Sequence, residues 1–235
     1  MVPRLQTWMS MRWLAIWCVS VGTAACADPA GEVPDATPDG PPSELTGITL
    51  EFIADTEIPA QLGSDVRVDD IYLNGSMIRA IGDATTQDEQ PTTRRDHALH
   101  WDTGEAPPGL TFSAAPTGEY SYVELRIANR PGAPRYEAFE IRGRVRDDDD
   151  GEDDAWTDFR IRAVTPVVIA RVPASMRLEA GRPLTIRLEL AVSQLLQGID
   201  WDALPEQGGA LQLDEETPAA LASFCGQLGD AFRAR

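Results

Sequence analysis

From Leu45 onward, apolar and polar residues alternate with a period of two in most segments of the chain. In the segment GITLEFIA, for example, Ile48, Leu50 and Phe52 alternate with polar or small residues. Such alternation is typical of strands with one buried face, because successive side chains point to opposite faces of a sheet. About ten such segments, with turn residues roughly every 8–12 positions, predict a mainly β fold, an antiparallel β-sandwich.

The segment VRVDDIYLNGSMIRAIGD contains two apolar runs on either side of Asn74-Gly75. Asn-Gly is the strongest short signal for a β-hairpin, because both residues tolerate positive φ. The sequence therefore predicts a turn at this dipeptide. Asp69-Asp70 shifts the alternation within the first run, which indicates a β-bulge.

A second hairpin is predicted in the segment YEAFEIRGRVRDDDDGEDDAWTDFRIRA, where two alternating strands flank an acidic run. Opposite charges that face each other across two strands stabilise a pair by about 0.2–1 kcal/mol. We therefore predict the register that sets Arg142 opposite Asp158 and Glu140 opposite Arg160, with residues 147–153 as the loop. The alternative register sets Arg142 opposite Arg160.

The pattern changes to a helical period near the C-terminus. Thr217 is suited to cap a helix and Pro218 to occupy its first position. The apolar positions that follow are spaced i, i+3, i+4, i+7 and i+11: Leu221, Phe224, Cys225, Leu228 and Phe232. The sequence predicts an amphipathic helix over 217–232 that packs by one face.

The N-terminus reads as a secretory signal peptide over 1–25. Arg4 and Arg12 precede a short apolar run, and small residues precede Cys26. Thr23 to Cys26 resembles the bacterial lipobox, in which the cysteine is lipidated and becomes the first residue of the mature protein. The resemblance identifies Cys26 as the lipidation site.

Residues 26–44 are rich in proline, glycine and acid, a composition that predicts a disordered tether. The folded domain then occupies 45–235. In bacterial lipoproteins, a residue other than aspartate after the cysteine implies sorting to the outer membrane, and here that residue is Ala27. The alternative is cleavage after Ala25 or Ala27, which would give a soluble secreted or periplasmic protein.

The formal net charge is −18, which argues against nucleic acid as a partner because phosphate binding needs a basic surface. The predicted partner is the membrane, reached through the lipid anchor. Whether a protein or a glycan is bound as well stays open. Four arginines that alternate along the second hairpin form a cationic stripe that is suited to anionic glycan or lipid headgroups: Arg142, Arg144, Arg160 and Arg162.

The acidic run of the hairpin contains seven carboxylates, which are candidate calcium ligands: Asp147, Asp148, Asp149, Asp150, Glu152, Asp153 and Asp154. An EF-hand loop with Gly151 at its sixth position would have Arg146 first and Thr157 last, and neither suits the metal. We therefore favour a hydrated hairpin tip, kept soluble by like charges. Weak calcium binding, as in other extracellular modules, is the alternative, and no other cofactor is predicted.

Other candidate sites are few. Asp96, His100 and Asp102 would share one face of a strand and could form a mixed metal site, whereas His97 would face the core. Cys225, on the predicted helix, is interpreted as a small buried hydrophobe. The chain contains no G-x-S-x-G, H-E-x-x-H or P-loop motif, so we predict a non-enzymatic protein. A hydrolase with an unrecognised site is the remaining alternative.

Several stretches together resemble a group of uncharacterised bacterial lipoproteins with an immunoglobulin- or transthyretin-like β-sandwich. They are VRVDDIYLNGSMIRAIGD, PTGEYSYVELRI, YEAFEIRGRV, IDWDAL and the C-terminal segment ending in DAF. The resemblance implies a lipid-anchored binding or structural module of the cell envelope. It carries over no catalytic or binding residues.

Overall fold

The computed structural model describes residues 47–82, 94–102, 104–146 and 156–235. These residues belong to one compact unit, Pro41–Arg235. Their strands and helices are β1 (Ile48–Ala54), β2 (Ala60–Leu62), β3 (Val66–Gly82), β4 (Arg94–Trp101), β5 (Leu110–Phe112), β6 (Gly118–Ile127), β7 (Phe139–Arg146), β8 (Trp156–Ala163), β9 (Val168–Leu178), β10 (Leu184–Leu190), α1 (Val192–Gln197), β11 (Glu206–Gln207), β12 (Ala210–Leu213), α2 (Pro218–Asp230) and β13 (Phe232–Ala234). None of the helices in these ranges has the length and apolar character needed to cross a membrane.

The strands form two sheets with a shared apolar core, which confirms the predicted mainly β sandwich. The smaller sheet has the order β13-β10-β1-β5, and the larger has the order β11-β12-β8-β7-β3-β6-β9, with β2 and β4 also paired to β3. Most neighbours are antiparallel, but β1 pairs with β10 and β8 pairs with β12 in parallel. The sandwich is therefore mixed rather than purely antiparallel.

The alternating positions of β1 lie in the core as predicted. Ile48, Leu50 and Phe52 are each at most 1% exposed, and Ile186 and Leu188 of the neighbouring β10 are each at most 2% exposed. β1 and β10 align residue for residue from Ile48 opposite Leu184 to Ala54 opposite Leu190. Their buried faces consequently form one continuous wall of the core.

The predicted turn at Asn74-Gly75 is wrong, because β3 runs through this dipeptide as a single strand of 17 residues. Asn74 is fully buried and Gly75 is paired with His97 of β4 and Ile127 of β6. A Cβ atom on Gly75 would lie 2.4 Å from the carbonyl oxygen of His97. Glycine is therefore needed here because a side chain would collide with the neighbouring strand, and not because the backbone has a positive φ. Strand partners on both sides of β3 override the turn preference of the dipeptide.

The predicted bulge near Asp69-Asp70 is confirmed by a register shift between Val68 and Asp70 in the pairing of β3 with β7. The strand opposite carries Gly143, which pairs with Val68. A Cβ atom at Gly143 would lie 1.9 Å from the carbonyl oxygen of Arg67 and 2.7 Å from the ring of Phe159. The bulge therefore depends on the absence of a side chain at this position.

The predicted register of β7 with β8 is also wrong. The structure sets Arg142 opposite Arg160 and Glu140 opposite Arg162. Arg142 and Arg160 tolerate each other because both donate to Oε1 of Glu140, at 2.8 and 2.5 Å. The same register places Phe159 opposite Gly143, where the missing side chain leaves room for the aromatic ring.

The C-terminal helix is confirmed, with shorter bounds than predicted. Leu221, Phe224 and Leu228 of α2 are buried, and the ring centroid of Phe224 lies 5.6 Å from that of Phe139 on β7. Phe232 was expected on the helix but lies on β13, opposite Leu190 of β10. The helix stops at Asp230 because the chain after it adds an edge strand to the smaller sheet.

Candidate functional site

Two of the predicted sites fall outside the described residues. These are the lipidation site Cys26 and the acidic run 147–154, and the tether lies outside as well. Over the ranges that the structure describes, no group of three or more histidine, cysteine, aspartate or glutamate side chains is arranged to hold a metal ion. Calcium binding by the acidic run remains a prediction.

The mixed metal site predicted from Asp96, His100 and Asp102 is not assembled. Asp96 forms an ion pair with Arg130, at 2.5 Å between Oδ2 and Nη1. His100 Nε2 lies 2.6 Å from Oδ1 of Asp70 and 3.6 Å from Oδ2 of Asp102. Of the three predicted ligands, His100 and Asp102 thus lie close to each other, whereas Asp96 is paired with Arg130 instead.

His97 lies on the core side of β4, as expected, although it is only partly buried. Its ring stacks on that of Phe52, with 5.7 Å between centroids, and its Nε2 lies 2.7 Å from the carbonyl oxygen of Pro108. These contacts fix the ring between β1 and the chain before β5. They give His97 a packing role.

An assembly of charged side chains covers the outer face of β3, β4, β7 and β8, opposite to the core. Its members are Asp70, His100, Arg135, Glu140, Arg142 and Arg160, and we call them the arginine–carboxylate cluster. Glu140 is at its centre and is 1% exposed. One oxygen of Glu140 accepts from Arg142 and Arg160, and the other lies 3.0 Å from Nη1 of Arg135.

Arg135, in the connection between β6 and β7, links the two carboxylates of this cluster. Its Nη1 donates to Oδ2 of Asp70 at 2.8 Å and to Glu140 at 3.0 Å. Its guanidinium carbon lies 4.8 Å from the ring centroid of Tyr72, a cation–π contact. Arg135 therefore covers the buried tyrosine and the buried glutamate together.

The cluster holds its carboxylate in the ionised form. Burial alone would raise the pKa of Glu140, but hydrogen bonds and positive charge from Arg142 and Arg160 outweigh it and keep the pKa below its ordinary value. Burial would likewise lower the pKa of Arg135, whereas Asp70 and Glu140 raise it, and the net pKa is raised. Glu140 and Arg135 are therefore both held in their charged forms by their partners. The cluster is suited to stabilising the contacts between strands, and it is poorly suited to proton transfer at neutral pH.

The four arginines of the predicted cationic stripe each have a carboxylate within 4 Å. Arg142 and Arg160 contact Glu140, Arg144 lies 3.7 Å from Asp69, and Arg162 lies 3.9 Å from Asp214. Most of the positive charge on this face is thereby neutralised. Binding of anionic glycan or lipid headgroups by the stripe stays a prediction. These ion pairs argue against it, because they leave less positive charge for an anionic ligand.

Cys225 lies on α2 and packs against the core as a partly buried side chain, as expected. Burial raises the pKa of its thiol, and the negative charge of Glu215 raises it further. The thiol is the weakly nucleophilic form of cysteine. This environment favours a packing role over a catalytic one.

A cleft of about 410 Å³ opens between α2 and the segment 198–204, and we call it the α2 cleft. Its walls are mainly apolar, and the polar side chains at it are Asp200, Thr217, Ser223 and Gln227. Gln227 is notable because its Oε1 is buried and has no hydrogen-bond partner. A concave apolar site with a few polar groups is the usual form of a small-molecule site.

Sequence reasoning missed both the central role of Glu140 and the α2 cleft. The apolar residues on either side of Glu140 placed it on an outer face, where glutamate is ordinarily exposed. The residue that buries it, Arg135, lies in a connection with no alternating pattern. Gln227 carried no local signal, because its environment is made by Gly198, which is remote in sequence.

No match was found between this chain and any family model, curated protein or solved structure.

Proposed function

We propose that this chain is a lipid-anchored cell-envelope protein that acts as a non-enzymatic binding or structural module. The observation that carries the proposal is the order of segments in the sequence. A signal-like apolar run ends at Cys26, a segment rich in proline, glycine and acid follows, and a β-sandwich comes after it. An acyl anchor, a tether and a folded body in that order present the body at a membrane surface. Ala27 supports the outer membrane as the destination.

Three features of the described residues support binding over catalysis. The buried Glu140 is held ionised by arginines, and the thiol of Cys225 has a raised pKa. The α2 cleft is lined mainly by apolar side chains, which suits the capture of a molecule more than its chemical conversion. Together these features favour a module that binds.

We expect Cys26→Ala to abolish both incorporation of labelled palmitate and globomycin-sensitive processing when the full chain is expressed in a Gram-negative host. The reason is that the thiol at this position is the acyl acceptor in the proposed maturation. Gel mobility, palmitate autoradiography and the intact mass of the mature protein measure the outcome. Cys225→Ala is the matched control, and it should be labelled and processed like the native chain. Processing of Cys26→Ala that is unchanged and still globomycin-sensitive would contradict the anchor.

A calcium-dependent module built on the acidic run is the second candidate, favoured by seven carboxylates between β7 and β8. We nevertheless expect calorimetry to show no saturable calcium binding up to about 5–10 mM, well above the range of weak extracellular sites. The like charges then serve to keep the hairpin tip hydrated. Saturable heat that disappears when the aspartates of 147–154 are replaced by asparagine would instead establish the calcium-binding function.

A further inference from the structure

We propose that one outer face of the larger sheet docks on the surface of an anionic phospholipid membrane. The face is formed by β6, β9 and the second half of β3, which pair side by side. The inference deepens the proposed function and rests on its membrane location. The side chains that carry it are Arg79, Tyr122, Arg126, Val167, Ile169 and Arg171, and we call them the β9 face.

The β9 face exposes apolar side chains where a sheet in contact with water ordinarily carries polar ones. Three large apolar side chains are exposed among the described residues, and two of them are Val167 and Ile169, at 49% and 52%. They alternate with the buried residues Val168 and Ala170, so they point away from the core. Tyr122 lies on the same face of β6 and is partly buried. Exposed apolar side chains that are grouped in this way mark a contact surface.

Arginines give the β9 face a positive charge, although the whole chain has a formal charge of −18. Arg79 and Arg171 lie on either side of Glu124, and the Nε atom of each is 3.0 Å from one of its carboxylate oxygens. Glu124 is itself 3% exposed. Arg126 is exposed and forms no ion pair within the ranges that the structure describes. Three arginines against one buried carboxylate leave the face with a net positive charge.

The cationic and the apolar side chains of the β9 face suit the same partner. Arg126 pairs with Ile169 on the neighbouring strand, so a guanidinium and an exposed apolar group lie side by side. Guanidinium groups form paired hydrogen bonds with phosphate oxygens, and their stems cover apolar surface while the charge stays in the polar layer. Valine and isoleucine gain by entering the region beneath the headgroups, and tyrosine favours the boundary itself. A phospholipid surface with negative charge meets each of these requirements.

A second copy of the chain is a poorer occupant. In a two-fold pair the same patch meets itself, which would bring Arg126 and Arg171 close to their own equivalents. Like charges oppose such a contact. An anionic membrane instead attracts this face and repels the acidic remainder of the surface, so charge alone would orient the domain.

The proposed anchor leaves the choice of face open. Residues 26–46 would reach up to about 70 Å if they were fully extended, which is enough for any side of the domain to meet the bilayer. The chemistry of the β9 face, and not the attachment point, therefore decides which side docks.

The test is hydroxyl-radical footprinting of the mature acylated chain on vesicles, read by peptide mass spectrometry. The vesicles are phosphatidylcholine with or without phosphatidylglycerol. Oxidation of Ile169 is compared with that of Ile53, which faces outward from the smaller sheet and is partly buried. We expect Ile169 to be protected relative to Ile53 only when phosphatidylglycerol is present. About 0.5 M salt should remove the protection, because it screens exposed charges beyond a few ångströms.

Two variants separate the charge from the apolar contact. Arg126→Gln should lower the ratio of docked to undocked chains about fivefold, the effect of one arginine near an anionic surface. Ile169→Ser should lower it by a similar factor of about five, since half of an isoleucine side chain no longer leaves water. Protection is then read at Val167. Both residues are exposed, so the melting temperature should stay unchanged.

Arg187→Gln is the matched control. It removes the same charge from the smaller sheet, where the side chain is 63% exposed and paired with Glu51, and it should leave docking unchanged. Protection that is equal in both kinds of vesicle, or that survives Arg126→Gln undiminished, would show that negative charge on the membrane is not recognised and would overturn the proposal.

The other occupants are distinguished by the same readout. Protection of Ile169 that rises with protein concentration in the absence of lipid would assign the face to a second copy. Protection by polyglutamate but not by vesicles would assign it to an acidic protein. Either result overturns the proposal, as does oxidation of Ile169 and Ile53 that is alike under every condition. If the palmitate experiment shows no acyl group, the soluble mature chain is added to the same vesicles, so the anchor and the face are decided separately.

Discussion

Replacing Gly143 with alanine is expected to lower the free energy of unfolding by about 3–5 kcal/mol, a large effect for a single methyl group. The added Cβ would lie 1.9 Å from the carbonyl oxygen of Arg67 and 2.7 Å from the ring of Phe159. Overpacking in a core ordinarily costs about 1–3 kcal/mol, because side chains can shift to make room. Here the atom in the way is a backbone oxygen of the adjacent strand. It can move only if the pairing of β3 with β7 is disturbed.

The measurement is urea unfolding of the purified protein, followed by circular dichroism. A lower midpoint with an unchanged m value would show that stability has changed and that the unfolded state has not. Gly226→Ala is the matched control of opposite sign. It lies inside α2 with open space around its Cβ, so we expect a gain of about 0.5–1 kcal/mol from reduced unfolded-state entropy and better helix propensity. A cost below about 1 kcal/mol for Gly143→Ala would mean that the bulge adapts easily.

The parts of the fold that the sequence predicts are those whose signal is local. Alternation in β1 and the helical period in α2 each describe one element that must bury one face, and both faces are buried as predicted. The shift at Asp69-Asp70 is also local, because a bulge changes the phase of its own strand. The pairing of β1 with β10 was beyond such reasoning, since the two strands are separated by most of the domain.

The two errors in strand arrangement share one cause. Asn74-Gly75 has the composition of a turn, but β3 is held by partners on both of its edges, and this pairing decides the conformation. The register of β7 with β8 was predicted from directly opposed charges alone. Arg135 reaches Glu140 from a connection outside the hairpin, and Arg142 reaches it along the same strand. Contacts of this kind cannot be counted before the tertiary structure is known.

The same reasoning explains why the α2 cleft could not be found from the sequence. A cleft is defined by the space between elements, and here the elements are α2 and a segment with little regular structure. Gln227 reads as an ordinary polar residue of an amphipathic helix. Only the approach of Gly198 reveals that its amide is buried against another part of the chain.

Replacing Glu140 with glutamine is expected to lower the free energy of unfolding by about 3 kcal/mol, the lower end of the range for breaking a buried ion pair by removing one partner. The carboxylate is 1% exposed and forms ion pairs with Arg135, Arg142 and Arg160. Without its charge, Arg142 and Arg160 would face each other across β7 and β8 with no shared anion. We expect a loss of stability near the lower end of that range because the three arginines are partly exposed, so water can hydrate their charges once the carboxylate is gone.

Glu119→Gln is the matched control for this variant. Glu119 and Arg177 are also opposed on neighbouring strands, with 3.2 Å between Oε1 and Nη1, but their side chains are 50% and 70% exposed. Exposed pairs of this kind contribute less than about 1 kcal/mol, since water screens them and holding both side chains costs entropy. The contrast between the two variants therefore measures what burial and the two additional arginine partners of Glu140 contribute together.

The pH dependence gives an independent check on Glu140. Its pKa in the folded protein lies below the ordinary value of 4.5, so the ionised carboxylate stabilises the fold fully above that pH. This stabilisation is lost as the pH falls through the lowered pKa, because the unfolded chain then binds the proton more readily than the folded chain. Native protein and Glu140→Gln should consequently differ most in urea midpoint at neutral pH and converge in acid. A difference that grew as the pH fell would mean that Glu140 is buried in its protonated form, and the arginine–carboxylate cluster would then not be an ionic lock.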